Sequence, residues 1–365
     1  MSNKSKGPNT VVILIILLLL AVFFGWLGYE PGTLLNEFAR GLAMTMLGAG
    51  IVIFILDYLA RQRQDQLVAY LDEQRRIQDE IQFSRETQLM KGQLLRELAS
   101  GDSGLAARAI KELDEHGWLT DGTLAESQLS GANLQGSNLG WINLSGAFLG
   151  RINLQDAQLN YANFSGASLA DGNLSRANLD LANLTEADLR DADFSLATLN
   201  EVDLSGAVVD GAVFTGAVLE SANLNKAQAE RVALNGANLQ RASLQECNLS
   251  HANLERANLK GANLGWAVLT RANLEKADLS EATLSGANLE DARLTGANLS
   301  GAFLYGAQVT LKVLSTARSL ANATMPDGTK YEEWVRHQTG EQSTNSDGLN
   351  SLLPAADLSL SPEAN

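Results

Sequence analysis

The chain of 365 residues is short of the side chains on which most enzyme chemistry depends. It has one cysteine, Cys247, which excludes a disulfide framework within the chain. Its three histidines, His116, His251 and His337, are scattered. No pair has metal-ligand spacing, and no Cys-His or Ser-His arrangement stands out. The sequence therefore predicts no catalytic residue, no cofactor and no metal. An enzyme is the first class excluded, because catalysis needs mixed titrating groups held at defined distances. Basic residues are the second shortage. Lys and Arg number 27 against 42 Asp and Glu, a formal charge of -15. That balance argues against nucleic acid as a direct ligand and leaves a basic protein partner open.

What the chain has in abundance is a five-residue phrase. It reads Ala132-Asn133-Leu134, Ala177-Asn178-Leu179, Ala257-Asn258-Leu259 and Ala297-Asn298-Leu299, each followed by two variable residues. The central apolar residue falls at positions ending in 4 or 9, roughly 38 units from 124 to 309. A period of five fits neither a helix nor a flat strand. A square coil accommodates it, with one pentapeptide per side and about twenty residues per turn, coils stacking at about 4.8 Å through backbone hydrogen bonds. Leu, or Phe at 164, 194 and 214, then faces a narrow interior with the small residue two places earlier. Between them Asn or Asp recurs, as at Asn153, Asn163, Asn183 and Asp188, and bonds local backbone at a corner. The variable pair forms a mostly polar outer wall.

This pattern resembles the pentapeptide-repeat family, whose motif is A(D/N)LXX, over a little more than half of the chain. The resemblance implies an all-β solenoid, a right-handed quadrilateral β-helix. Val209 and Ala229 at Leu positions, and Ile142, Ile152, Val202 and Val232 at small positions, predict a locally uneven core.

Before the array, Val11 to Tyr29 is apolar without a charge, long enough to span a bilayer, and no signal-peptidase site follows it. Trp26 and Tyr29 suit an interface. Glu30-Pro31-Gly32 makes a turn, and a second apolar run covers Phe38 to Leu59. The expectation is a two-helix transmembrane hairpin over 11–60, behind a cytoplasmic tail at 1–10. Lys4 and Lys6 before it and Arg61, Arg63, Arg75 and Arg76 after it place both ends, and the array, in the cytoplasm of a multi-pass protein of the cell membrane.

From Asp57 to Leu98 there is no Pro and one Gly, Gly92, which predicts a long helix. Leu67, Tyr70, Gln74, Ile77, Ile81, Ser84 and Gln88 follow 3-4 spacing, with three of the seven polar. That pattern suits either a homo-oligomer through this stalk or a solvated helix. A helix at 104–116, with Leu105, Ala109, Ile110 and Leu113 on one face, and Trp118 would cap the open end of the array. The remaining organisation is stalk and cap over 61–119, β-helix over 120–314, a C-terminal cap over 315–340 carrying Trp334, and a disordered tail over 341–365.

Two wall features are candidates for binding an unidentified protein partner. Trp141, Tyr161 and Leu181 are outward positions twenty apart and should stack on one edge. Asp180, Glu186, Asp188, Asp191, Asp193, Glu201, Asp203, Asp210 and Glu220 form an acidic band around Arg190. The resemblance implies a role for such a band, since some family members are acidic rods that imitate duplex DNA and occupy a topoisomerase. Asp188, Asp193 and Asp203 fill the Asn/Asp slot, so their acidity is partly template, and Arg231, Arg241, Arg256, Lys260, Arg271 and Lys276 interrupt the later wall. The reading that follows is a non-enzymatic, membrane-anchored scaffold, with the DNA-mimicking inhibitor as the alternative.

Overall fold

The computed structural model describes residues 10–27 and 34–339. The N-terminal tail up to residue 9, the turn at Glu30-Pro31-Gly32, Tyr29 and the tail 341–365 lie outside the described residues. The chain divides after Gln88 into two compact units.

The first unit contains α1 (Thr10–Leu27) and most of α2 (Leu34–Leu98). The second apolar run and the charged stretch after it form one unbroken helix of 65 residues, as the lack of Pro allows. The apolar part of α2 is long and apolar enough to cross a membrane. Leu17 of α1 lies beside Gly50 of α2, 3.7 Å from where a Cβ would sit. Residues 61–86 of α2 are all exposed.

The second unit begins with the last turns of α2. Leu94 and Leu98 are buried with Ala106, Ala109, Ile110 and Leu113 of α3 (Ser103–Glu115) and with Leu119 and Leu124 of the first coil. Asp102 starts α3 by accepting hydrogen bonds from the Gly104 and Leu105 N–H groups. Gly117, at φ 69°, ends it; the Trp118 N–H bonds the Leu113 carbonyl and the Gly117 N–H that of Asp114. This double bond pattern is the Schellman arrangement. Leu105 is exposed and does not belong to the apolar face predicted for it. The α3 N-terminus turns that side chain outward, and Ala106 takes the inward place. Trp118 is half-buried against the core, with the Lys91 ammonium 4.7 Å above its ring and His116 stacked on it. Lys91 also donates to Thr123 and pairs with Asp121 at 3.2 Å.

From Gln128 onward, parallel bridges join each residue in the Asn/Asp slot to the one twenty places later, from Gln128 with Phe148 to Asn288 with Gln308. Each coil therefore takes four pentapeptides, and the Leu side chains stack in columns inside. Phe194 and Phe214 share a column, their rings parallel within 2° and 4.7 Å apart. The large Ile152 is matched one coil on by Gly172, where a Cβ would meet Ile152 Cγ2 at 3.5 Å and the Leu169 carbonyl at 2.8 Å. At this position the uneven core is accommodated by exchanging volume between coils.

Hydrogen bonding explains the phrase. Take Leu129 to Gln135. The Ala132 N–H closes a four-residue turn onto the Leu129 carbonyl, the Gly131 N–H reaches Gly150 and the Leu134 N–H reaches Asn153. In coils with a predecessor, the slot N–H bonds backwards, as Asn153 does to Ala132. The N–H of the residue after Leu is left over. Asn133 Oδ1 takes it from Gln135, and Asn153, Asn163, Asn173 and Asp193 do the same for residues two places on. A buried or half-buried N–H without a partner is costly, so the slot favours Asn or Asp.

The third residue of every corner from Glu126 to Gly306 has positive φ, as a type II turn demands. Glycine fills many of these places, and elsewhere stand Trp, Tyr, Leu, Ser, His, Arg, Lys, Asp or Glu, never Val, Ile or Thr. Branching at Cβ makes the left-handed region especially unfavourable.

Beyond Val309 the phrase slips by one residue. α4 (Leu311–Leu314) carries Leu314 inward in the old register. One extra residue then enters, and bridges join Asn298 to Ser319 and Phe303 to Thr324, twenty-one apart. Leu320 and Met325 occupy Leu positions, with Ala323 inward and Asn322 at a positive-φ corner. These shifted units lie inside the 315–340 segment expected to be the C-terminal cap, and a search at fixed period passes over them. After the Met325–Thr329 turn, α5 (Tyr331–Thr339) closes the end with Tyr331, Trp334 and Val335 buried.

Candidate functional site

Trp141, Tyr161 and Leu181 hold the positive-φ corner position of three successive coils, at φ 64°, 61° and 60°. Their backbone is fixed from the next coil, since the Trp141 and Tyr161 N–H groups bond the Asn160 and Asp180 carbonyls at 3.0 Å. Side chains leaving equivalent corners must point the same way. The two rings accordingly stack 4.1 Å apart and within 5° of parallel. They remain 61% and 42% exposed, and Leu181 is 42% exposed. Gly140 and Asn160 border the edge; a Cβ on Gly140 would sit 3.4 Å from Asn160 Oδ1. The arrangement is an exposed apolar strip with a polar margin, on backbone bonded to the adjoining coil.

The acidic residues do not form one face. They sit on all four sides, because their positions fall in different columns of the coil. Several are occupied by the rod itself. Asp193 and Asp203 accept from Ser195 and Ser205 N–H groups, and Asp203 also from Asn223. Asp188 holds Arg190 through two hydrogen bonds. The Arg190 side chain, chiefly through those bonds, keeps the Asp188 carboxyl below the usual carboxylate range. Asp180 Oδ1 accepts from the backbone and side-chain amides of Asn200, and Asp210 Oδ1 from the Glu230 N–H at 2.7 Å. Glu186, Asp191 and Glu201 are exposed and Glu220 half-exposed. Arg190, Asp191, Asp210, Glu230 and Arg231 ring a small recess over Gly211 of about 240 Å³, its charges mixed rather than uniformly negative.

Sequence spacing missed Trp266, the most exposed ring of the rod at 69%. Its indole lies on Gly286 of the next coil, where a Cβ would come within 2.6 Å of it. Corner side chains lean toward the following coil, as Leu196 does over Gly216. The signal available in the sequence was a bulky corner residue followed by Gly twenty places later.

Cys247 is fully buried at an inward small position. Burial, with a smaller contribution from the charge of Asp210, pushes its thiol up to about 12. Among the described residues no cluster of His, Cys, Asp or Glu could hold a metal ion.

The family model for pentapeptide repeats matches residues 119–151, 137–176, 162–200, 197–236, 237–275 and 272–308, together more than half of the chain. Proteins built on these repeats fold as right-handed β-helices. No curated protein matches. Among solved structures, HetL from the cyanobacterium Nostoc sp. strain PCC 7120, involved in heterocyst differentiation regulation, is 28% identical; it covers 61% of this chain and 98% of its own, with a TM-score of 0.32. A pentapeptide repeat protein of the Arabidopsis thaliana thylakoid lumen is 32% identical over 29% of this chain and 71% of its own, TM-score 0.23. QnrB1, a plasmid-mediated fluoroquinolone resistance protein, is 18% identical over 60% and 97%, TM-score 0.28.

Proposed function

The chain belongs to the pentapeptide-repeat family, and from that we propose a non-enzymatic, membrane-anchored scaffold whose rod offers the Trp141–Tyr161–Leu181 edge to a protein partner. Members of the family are in general structural and interaction proteins. The observation that carries the reading is the stacked, exposed pair Trp141 and Tyr161. Two parallel rings on a stiff backbone bury large apolar area against a partner at little conformational cost.

Residues 11–60 are the anchor in this proposal. The charge-free run from Val11, the apolar part of α2 and the Lys and Arg flanks support a hairpin with the repeats in the cytoplasm. The rival reading, an acidic mimic of DNA, is weakened by the dispersal of the carboxylates and by their use in the rod's own hydrogen bonds.

The test is in-cell crosslinking read by mass spectrometry. Trp141→Ser with Tyr161→Ser should remove the major protein adduct while the unfolding transition of the rod stays cooperative. Adducts that persist, or a rod that no longer folds, would sink the proposal. For the rival reading, inhibition of gyrase supercoiling that vanishes on charge reversal at Glu186, Glu201 and Glu220 is the decisive outcome.

A further inference from the structure

We propose that the exposed middle of α2 pairs with the same segment of a second copy as a parallel two-stranded coiled coil. Every residue from 61 to 86 is exposed, yet Leu67, Tyr70, Leu71, Ile77 and Ile81 fall on one face. A lone helix in water is held by many ion pairs four residues apart. The charges here are not used in that way. Among the described residues 61–88 the ion pair is that of Arg61 with Asp57, at 2.9 Å. Among the described residues nothing covers this apolar stripe.

The charge pattern identifies the occupant. With Leu67, Gln74 and Ile81 at the a positions and Tyr70 and Ile77 at d, Glu80 falls at g and Arg85 at the following e. In a parallel pair in register, Glu80 of each copy meets Arg85 of the other, two complementary contacts per dimer. An antiparallel pair would instead bring the g positions together, Glu73 and Glu80 against their own kind. Gln74, Ser84 and Gln88 are polar positions of the same seam; they cost stability and favour the register in which they face their own kind. The inference goes beyond the scaffold reading and does not depend on which partner the rod meets; its consequence is two rods per assembly.

The chain's one cysteine is buried, so an introduced cysteine reports without background. Full-length protein in mild detergent is oxidised with copper phenanthroline after Gln74→Cys, in the seam, or Asp79→Cys, on the far side of the helix. The first should give a covalent dimer and the second should stay monomeric. Glu80→Arg and Arg85→Glu should each weaken self-association about tenfold, and the double exchange should restore it. A chain that sediments as a monomer at micromolar concentration overturns the proposal. So does a dimer that crosslinks equally from both sites or not at all from Gln74→Cys, or a charge exchange without recovery. Helical circular dichroism of each variant verifies that the stalk is folded when these outcomes are read.

Discussion

The carboxylate of Asp180 accepts the backbone N–H of Asn200, one coil later, at 2.8 Å. Asn200 needs this bond because Thr198 stands where Asn or Asp would have supplied the acceptor from within its own unit. The same substitution of source occurs at Gln228, where Asp210 serves Glu230, and at Ser243, where Asn225 serves Gln245. Asp180→Ala should therefore destabilise the rod by about 1–2 kcal/mol, whereas Asp180→Asn keeps an acceptor and should be close to neutral. Thermal unfolding of the two variants checks this; equal losses would show that charge and not the acceptor matters.

Gly286 lies under Trp266, and Gly236 has the same backbone, φ 69° against 67°, with nothing near its missing Cβ. Gly236→Ala should cost about 1 kcal/mol, the penalty of a left-handed non-glycine residue. Gly286→Ala should cost a further 1–2 kcal/mol or so, from the clash with the indole. Adding Trp266→Ala to the second variant should recover the excess. A double variant no more stable than Gly286→Ala would place the strain elsewhere.

Cys247 is neutral in the folded rod up to about pH 12, whereas the unfolded thiol ionises near its ordinary value of 9.0. Its contribution is fully present below pH 9 and is lost as pH rises toward 12, because only the unfolded state gains from ionising. The stability difference between the wild type and Cys247→Ala, a residue already used at this inward slot, should fall by about 1.4 kcal/mol per pH unit above pH 9. Denaturant titrations from pH 8 to 11 measure it. A difference independent of pH would mean that the thiol is accessible when folded, and thiol reagents would then label it without denaturant.

Much of this architecture could be read from the chain because one rule repeats. The inward Leu, the small residue before it and the Asn or Asp between are each required by a bond or a volume that recurs in every unit. The parts that escaped are those in which one coil compensates for another. Asp180 looked like surface charge because its acceptor role belongs to a residue twenty places away. Ser319 and Thr324 were missed because one inserted residue moves them off the period. Leu105 and Ala106 are adjacent, and only the start of α3 decides which faces inward. At the candidate edge, the spacing of Trp141, Tyr161 and Leu181 was enough to place them together; that Trp266 rests on Gly286 required knowing which way corner side chains lean.

The bond from Asp210 to Glu230 gives the rod an inheritance rule. Excising 191–210 as a whole coil would put Arg190 beneath Glu230, and the stranded amide would have no acceptor below it. Excising 231–250 removes Gln245 and leaves its lender Asn225 merely idle. Lineages that lengthen or shorten this rod should therefore keep lender and borrower coils together, so that the heritable module in such places is forty residues long, not five or twenty.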